Sequence, residues 1–461
     1  MRILLIMPDA HMHKMRIGFH VRSMREAPLT LSTLAALVQD ADIEWKLVDG
    51  SIGDIPLDEN ADLIGISVIT GTANAAYRIA DHYRSRNIPV VLGGIHVTLL
   101  PSEASAHADA IVVGMAERTW PQLIADFRAG RMKKTYEETA SESDILKNVP
   151  IPRRDLMRRN GYMMPDVVQA TRGCKRTCDF CTVPAIWPRY YRRPVSDVID
   201  DVRSLPGNRF VFNDVSLVDD REYAMELFNA LSPLKKKWGG LTTIEVAGDH
   251  ELLGLMERSG CIYLLIGFES INRENLRQIY KGFNHVDNYS VAMETLHSHN
   301  ISVQGCFVFG LDHDDRSVFE STVQRVNELK IDIPRYSLYT PYPGTMLFKR
   351  LFDEGRILSF NWDDYDTMHA VIRPAQMTPF ELYDGFKWAY KETFRFKNAV
   401  RRLRLPVENS VINMFGAMTY RKFAGRLYNE KRFSAPYSLE APGEAPLPGQ
   451  IRFKELGLCP V

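Results

Sequence analysis

Short apolar, β-branched runs punctuate the first 128 residues, each ending near Gly, Pro or Asp: "RILLIMP", "EWKLVD", "DLIGISV", "PVVLGGI" and "DAIVVG". Runs of this length between turn residues predict buried strands. Between them, "LTLSTLAALVQ", "ANAAYRIADHYRS" and "RTWPQLIADFRAG" return apolar residues every three or four positions, the period of a helix with one buried face. Such alternation with short connections predicts an α/β fold that begins with a doubly wound, Rossmann-like parallel sheet over residues 1–128. In that architecture ligands bind beyond the carboxyl ends of the strands.

Over residues 129–164 the periodicity fades and charge rises, as in "RMKKTYEETASESD" and "NVPIPRRD", which reads as a linker. Longer units then follow, with strands at "VVQAT", "RFVFND", "LTTIEVAG", "IYLLIGFES", "ISVQGCFVFG" and "IPRYSLYTPY". Six strand and helix units in one run predict a partial (β/α)6 TIM-type barrel over residues 165–375, with function in the loops after the strands. Residues 376–461 read as a helical, basic region with a Pro-rich tail, and Arg401, Arg402 and Arg404 as a solvated helix face.

Charge narrows the partners. The 461 residues carry 57 Lys and Arg against 57 Asp and Glu, so no net field draws the chain to nucleic acid or an anionic membrane. No integral membrane segment is expected, because the longest apolar stretches, such as "CIYLLIGF", fall far short of the roughly 20 residues of a membrane-spanning helix. The N-terminal apolar run is likewise too short for a signal peptide. Six cysteines, three clustered and three scattered (Cys261, Cys306, Cys459), suit a reducing compartment, and the cytoplasm is the expected location. Cys261 and Cys306 fall within apolar strand patterns and read as small core residues.

The clustered cysteines, Cys174, Cys178 and Cys181, form CxxxCxxC directly after the first barrel strand. A structural zinc site takes four protein ligands, and no neighbouring Cys or His pair completes one. Three thiolates around an iron–sulfur cubane leave one iron free for another ligand. A zinc site with a distant fourth ligand or an open position is the competing reading.

With Phe180 just before the third cysteine, this motif resembles the signature of the radical SAM superfamily. The resemblance implies that Cys174, Cys178 and Cys181 hold a 4Fe–4S cluster whose open iron is chelated by S-adenosylmethionine. An electron from a flavodoxin or ferredoxin would then release a 5′-deoxyadenosyl radical that abstracts hydrogen from a small-molecule substrate. Later strand ends are similar to the family in the same order. Asp214 would lie near the methionyl amino group, Glu269 and Ser270 of "GFES" near S-adenosylmethionine, and Gly305 and Gly310 beside the adenine, followed by "PYPGT". Each has a plainer alternative: Asp214 as a helix cap, Glu269 as a buried paired carboxylate, the glycines as turn residues. Asp214, Glu245 and Asp249 are the candidate catalytic acids or bases.

The leading domain resembles the cobalamin-binding module fused to one class of radical SAM enzymes. The matching segments are "DLIGISVITGTA" with Ser67, Thr70, Gly71 and Thr72, "VVLGGIHVT" with Gly93, Gly94 and His96, and "ADAIVVGMAERTWPQL" with Gly114 and Glu117. Small residues would let a flat ring approach the strand ends, and hydroxyls would bond its nucleotide tail. The Asp-x-His-x-x-Gly loop of the classical cobalamin domains is absent, and the last strand ends in "GMAE". A doubly wound domain without cofactor, serving as a substrate wall, is the alternative. The long basic loop after the first strand, with Lys14, Arg16, Arg22 and Arg25, would cover the cofactor or grip a substrate, or else is a solvated loop, and His11, His13 and His20 read as surface or substrate contacts, not a second metal site.

Three functions follow. The first is cobalamin-dependent radical methyl transfer to a substrate carbon. The second is radical dehydration, epimerisation, cyclisation or oxidation without cobalamin. The third, from another class, is a non-catalytic iron–sulfur or zinc sensor or scaffold.

Overall fold

The computed structural model describes residues 1–9, 14–17, 20–138, 145–403, 407–430 and 434–437. His11, His13, Arg404, Cys459 and most of the Pro-rich tail lie outside the described residues. In chain order the first strands are β1 (Arg2–Met7), β2 (Lys14–Ile17), β3 (His20–Glu26), β4 (Glu44–Asp49), β5 (Leu63–Ser67), β6 (Val90–Gly93), β7 (Ala110–Val113) and β8 (Thr135–Glu137). They are followed by β9 (Tyr162–Met164), β10 (Val167–Val168), β11 (Thr171–Arg172), β12 (Tyr191–Arg192), β13 (Arg209–Phe212), β14 (Lys237–Thr242), β15 (Cys261–Glu269), β16 (Ser302–Phe309) and β17 (Ile333–Leu338).

The first sheet is parallel throughout, in the order β4, β1, β5, β6, β7, β8. Its inner strand β1 buries Ile3, Leu4, Leu5 and Ile6 to 1% exposure or less, because helices cover both faces. The stretch expected as a linker supplies two of the strands. β8 extends this sheet beyond residue 128, where Tyr136 is buried with its hydroxyl donated to Asp126 Oδ2 at 3.1 Å. β9 joins the antiparallel pair β2 and β3, so the expected first loop is largely a hairpin. Strands this short and charged carry too little apolar alternation to stand out in a sequence.

The second sheet runs β10, β13, β14, β15, β16, β17 in sequence order, all parallel. This is the open barrel expected, with one difference: the third strand lies earlier, at Lys237–Thr242, and Ile244–Gly248 is a 3-10 turn. Gly239 and Gly240 dilute the apolar run that would have marked it. Alternation along β15 and β16 turns Leu264, Ile266, Val303 and Phe307 toward the outer core, and Tyr263, Gln304 and Cys306 inward.

C-terminal helices cover the β17 edge. From helix Pro379–Thr393, the Tyr390 hydroxyl donates to the Tyr336 carbonyl at 2.8 Å and accepts from its N–H at 3.1 Å. Arg402, expected in solvent, is instead 2% exposed and donates to Asn327 Oδ1 at 2.7 Å and to the Thr393 carbonyl at 2.9 Å. The two halves share a core: Leu347, Phe348, Trp362 and Tyr365 from beyond the barrel pack with Ile64, Ile66, Ala76 and Val97 of the first sheet's helix-covered face.

Candidate active site

The loop that bears the three cysteines is fixed before it begins. Asp214, just past β13, accepts from the Ala170 N–H at 3.1 Å, the Thr171 N–H and the Thr171 hydroxyl at 2.6 Å, all buried. β11 then pairs with β12, closing residues 173–190 into one excursion. Gly173 enters it at φ +98°, where a Cβ would meet the Arg189 carbonyl oxygen at 2.1 Å, so only glycine fits. Arg176, between the first two cysteines, bonds Glu245 at 2.6 Å and lies over the Phe283 ring at 4.3 Å.

Burial pushes the thiols of Cys174 and Cys178 up to about 12 and that of Cys181 to about 11. Such thiols stay protonated at neutral pH unless a metal takes the negative charge. A buried cation stands near: Lys281 Nζ lies 2.8 Å from Glu269 Oε1 and 3.1 Å from the Gly267 carbonyl, and its charge opposes the rise at Cys178 and Cys181. Glu269 itself sits at φ +59°, beside an irregularity between β15 and β16.

Beyond the carboxyl ends of β5, β6 and β7 lies a cavity of about 330 Å³. The first domain lines it with Ser67, Gly93, Gly94, Thr98, Gly114 and Trp120, and the barrel with Gln169, Arg172, Trp187 and Asn213. Gly94 at φ +105° and Gly114 at φ +80° keep its rim low. Arg172 reaches across to Glu117 at 2.7 Å, with side-chain exposures of 14% and 7%. Small residues at strand ends, a cavity lined by both domains and orphaned polar atoms within it (Glu117 Oε2, Arg172 Nε) fit a flat, polar-edged cofactor.

Comparison with known proteins agrees with this division. The B12 binding domain family matches residues 15–124, and the radical SAM superfamily matches residues 168–326. The bacteriochlorophyllide d C-12(1)-methyltransferase of Chlorobaculum tepidum is 31% identical over 393 residues, 82% of this chain and 84% of that one. The chain belongs to the cobalamin-binding radical SAM enzymes. A second relative of this enzyme, the bacteriochlorophyllide d C-8(2)-methyltransferase of the same organism, is 28% identical over 82% of this chain and 87% of that one. In fold the enzyme is similar to the radical S-adenosylmethionine methyltransferase TsrM from Kitasatospora setae, with TM-score 0.62, 16% identity, and coverage of 77% of this chain and 75% of that one. Its cofactors are a 4Fe–4S cluster, S-adenosylmethionine and cobalamin.

The residues expected from the sequence separate into two sets in this radical SAM enzyme. Ser67, Gly93, Gly94 and Gly114 line the cavity. Thr70, Gly71, Thr72 and His96 do not: Gly71 lies against the Tyr365 carbonyl, where a Cβ would come to 3.0 Å, and Thr72 closes its own turn on Ile69 at 3.0 Å. His96 is fully buried, between the Thr70 hydroxyl at 3.3 Å and Glu103 at 3.2 Å. They face the Trp362–Tyr365 segment of the other half, which no local pattern could announce.

In the barrel, Glu269, Ser270 and Phe180 stand close to the cysteine loop or the strand ends around it. Ser270 Oγ accepts from the Asn272 N–H at 3.0 Å, and Phe180 packs edge-on to Tyr339 at 6.2 Å. Gly305 lies on the outer face, where a Cβ would meet Ile331 at 2.9 Å, and Gly310 packs against Leu382 at 2.8 Å. Gly310 thus lies against helix Pro379–Thr393, and Gly305 against Ile331 and Phe268. The expected acids are also engaged elsewhere. Asp214 anchors the cysteine loop as described, Glu245 pairs with Arg176, and Asp249 caps helix His250–Ser259 while pairing with Arg221 at 2.6 Å. Glu117, named with Gly114 in its matched segment, lines the cavity; Lys281, Arg172 and Trp187 were not singled out and owe their place to folding.

Proposed function

We propose that the enzyme transfers a methyl group to a carbon of a small organic substrate, with a tetrapyrrole side chain as the substrate class. The observation that carries this reading is a cavity lined by both domains, from Ser67, Gly93 and Gly94 on one side to Gln169, Arg172 and Asn213 on the other. A corrin held there would lie between the first domain's strand ends and Gln169, Arg172 and Asn213 of the barrel. The substrate class rests on the two bacteriochlorophyllide d methyltransferases that match most of the chain. When bound, the cluster supplies the electron that cleaves S-adenosylmethionine, and cobalamin supplies the methyl group.

The chain's own residues do the rest. Cys174, Cys178 and Cys181 hold the cluster. Lys281 offsets thiolate charge beside it, Glu269 holds Lys281 at 2.8 Å, and Asp214 fixes the entry of the loop. The two domains are held together beside the cavity by their shared apolar core. A flavodoxin or ferredoxin of the cytoplasm delivers the electron. Among the described residues no helix is long and apolar enough to cross a membrane.

The test is an anaerobic assay of the reconstituted enzyme with hydroxocobalamin, S-adenosylmethionine, reduced flavodoxin and bacteriochlorophyllide d. Methyl transfer yields S-adenosylhomocysteine, 5′-deoxyadenosine and a methylated product together. 5′-Deoxyadenosine without S-adenosylhomocysteine would replace methyl transfer with another radical reaction.

A further inference from the structure

Two side chains in the cavity make an incomplete polar pair. Glu117, in the first turn of helix Ala116–Arg128, uses Oε1 to bind Arg172 Nη1 at 2.7 Å. Arg172 Nη2 donates to Gln169 Oε1 at 2.9 Å, and the guanidinium lies over the Trp187 ring at 5.6 Å. Glu117 Oε2 and Arg172 Nε are buried and have no hydrogen-bond partner in the protein. Buried polar atoms without partners are costly, and a ligand that supplies partners recovers that cost on binding. Glu117, Arg172, Gln169 and Trp187 all line the cavity.

The two orphans have opposite needs. Oε2 of a carboxylate accepts only, and Nε of a guanidinium donates only. An ester carbonyl reaches only Arg172, a carboxylate is repelled by Glu117, and a hydroxyl must serve both through its single oxygen. A primary carboxamide offers both partners within one planar group, its N–H to Glu117 and its C=O to Arg172. The corrin of cobalamin is edged with primary carboxamides. We propose that Glu117 and Arg172 together form a recognition site for a peripheral carboxamide of the bound corrin, a role that rests on the cobalamin reading above. The site spans both domains, since Glu117 belongs to the first and Arg172 to the strand that leads to Gly173 and Cys174. Corrin binding thereby tightens the junction at the residue from which the cysteine loop departs.

The test is equilibrium binding to the full chain, read from corrin absorbance, with cobalamin, with cobinamide (carboxamides retained, nucleotide tail absent) and with cobyrinate (carboxylates in their place). Wild-type protein should prefer cobinamide to cobyrinate, and Glu117→Gln should lower that preference about tenfold, the scale of one charge-assisted hydrogen bond. Arg172→Lys, which keeps a cation opposite Glu117 but removes Nε, should lower it also, and stands in if Glu117→Gln loses the native circular dichroism spectrum. An unchanged preference in a folded variant overturns the inference and leaves cobalamin binding intact. Wild-type protein that binds no cobalamin overturns the underlying reading, and this inference with it.

Discussion

Glu269 occupies φ +59°, a left-handed conformation that costs a residue with a Cβ about 1–2 kcal/mol. Its ion pair with Lys281, both side chains about nine-tenths buried, holds it there and places a cation beside the cysteine loop. The cysteines give the sharpest prediction at this scale. Cys178→Ala should lose iron and sulfide on anaerobic reconstitution, whereas Cys261→Ala, in the outer core of the barrel, should retain both. Elemental analysis separates the two. A second prediction concerns Asp314, which accepts from the Gly310 and Leu311 N–H groups and from Asn275 at 2.6 Å. Burial outweighs these donors and pushes its carboxyl up to about 7. The unfolded carboxyl titrates near 3.9, so the folded chain binds the proton more tightly. The stability this contributes is full below about pH 4 and is lost as pH rises through about 7. Denaturant unfolding of wild type and Asp314→Asn across that window should show a shallower slope in the variant, where Asp179 and Asp214, both raised to about 6 by burial, still contribute. Residue identity announced the thiols and the buried acids; which acid touched what had to wait for the fold, because Asp214 and Asp249 bond backbone N–H groups set by their surroundings.

Elements carry the division of labour between binding and docking. The turn Thr70–Thr72 and the short helix Ile95–Leu99 both follow strands whose ends reach the cavity, yet Thr98 alone of their polar side chains lines it, while His96 meets the Trp362 ring at 5.4 Å and Gly71 lies against the Tyr365 carbonyl. Trp362 donates its indole N–H to Glu103 at 3.1 Å, and Glu103 also receives the Tyr77 hydroxyl at 2.8 Å. Trp362 is 5% exposed, so Trp362→Ala removes a large buried ring and leaves Glu103 short of a donor. The expected cost is about 3–5 kcal/mol, read as a lower denaturant midpoint together with faster amide exchange in the Thr70–Thr72 turn. The strands of both sheets were legible because buried parallel strands are continuous apolar runs. β8 and β9 were not, since a strand of three residues with one inward side chain has no period to detect.

At the scale of the molecule, the first sheet and the barrel meet through a common apolar core and through the cavity that both line. A ligand that binds only this assembled junction stabilises the whole chain by mass action. Hydroxocobalamin at a hundred times its Kd should raise the unfolding free energy by about 2.7 kcal/mol, measured as a higher midpoint of thermal unfolding; no shift would contradict cobalamin binding at a preformed site. Periodicity and turn residues established two parallel α/β units in their order along the chain, and the spacing of Cys174, Cys178 and Cys181 established the chemistry of the loop between strands, because both are written in neighbouring positions. The pairing of Glu117 with Arg172, the seating of His96 against Trp362 and the approach of Lys281 to the thiols join residues 55, 266 and 100 or more positions apart. Contacts over such distances are settled by how helices and sheets pack, so they arise only when the chain has folded.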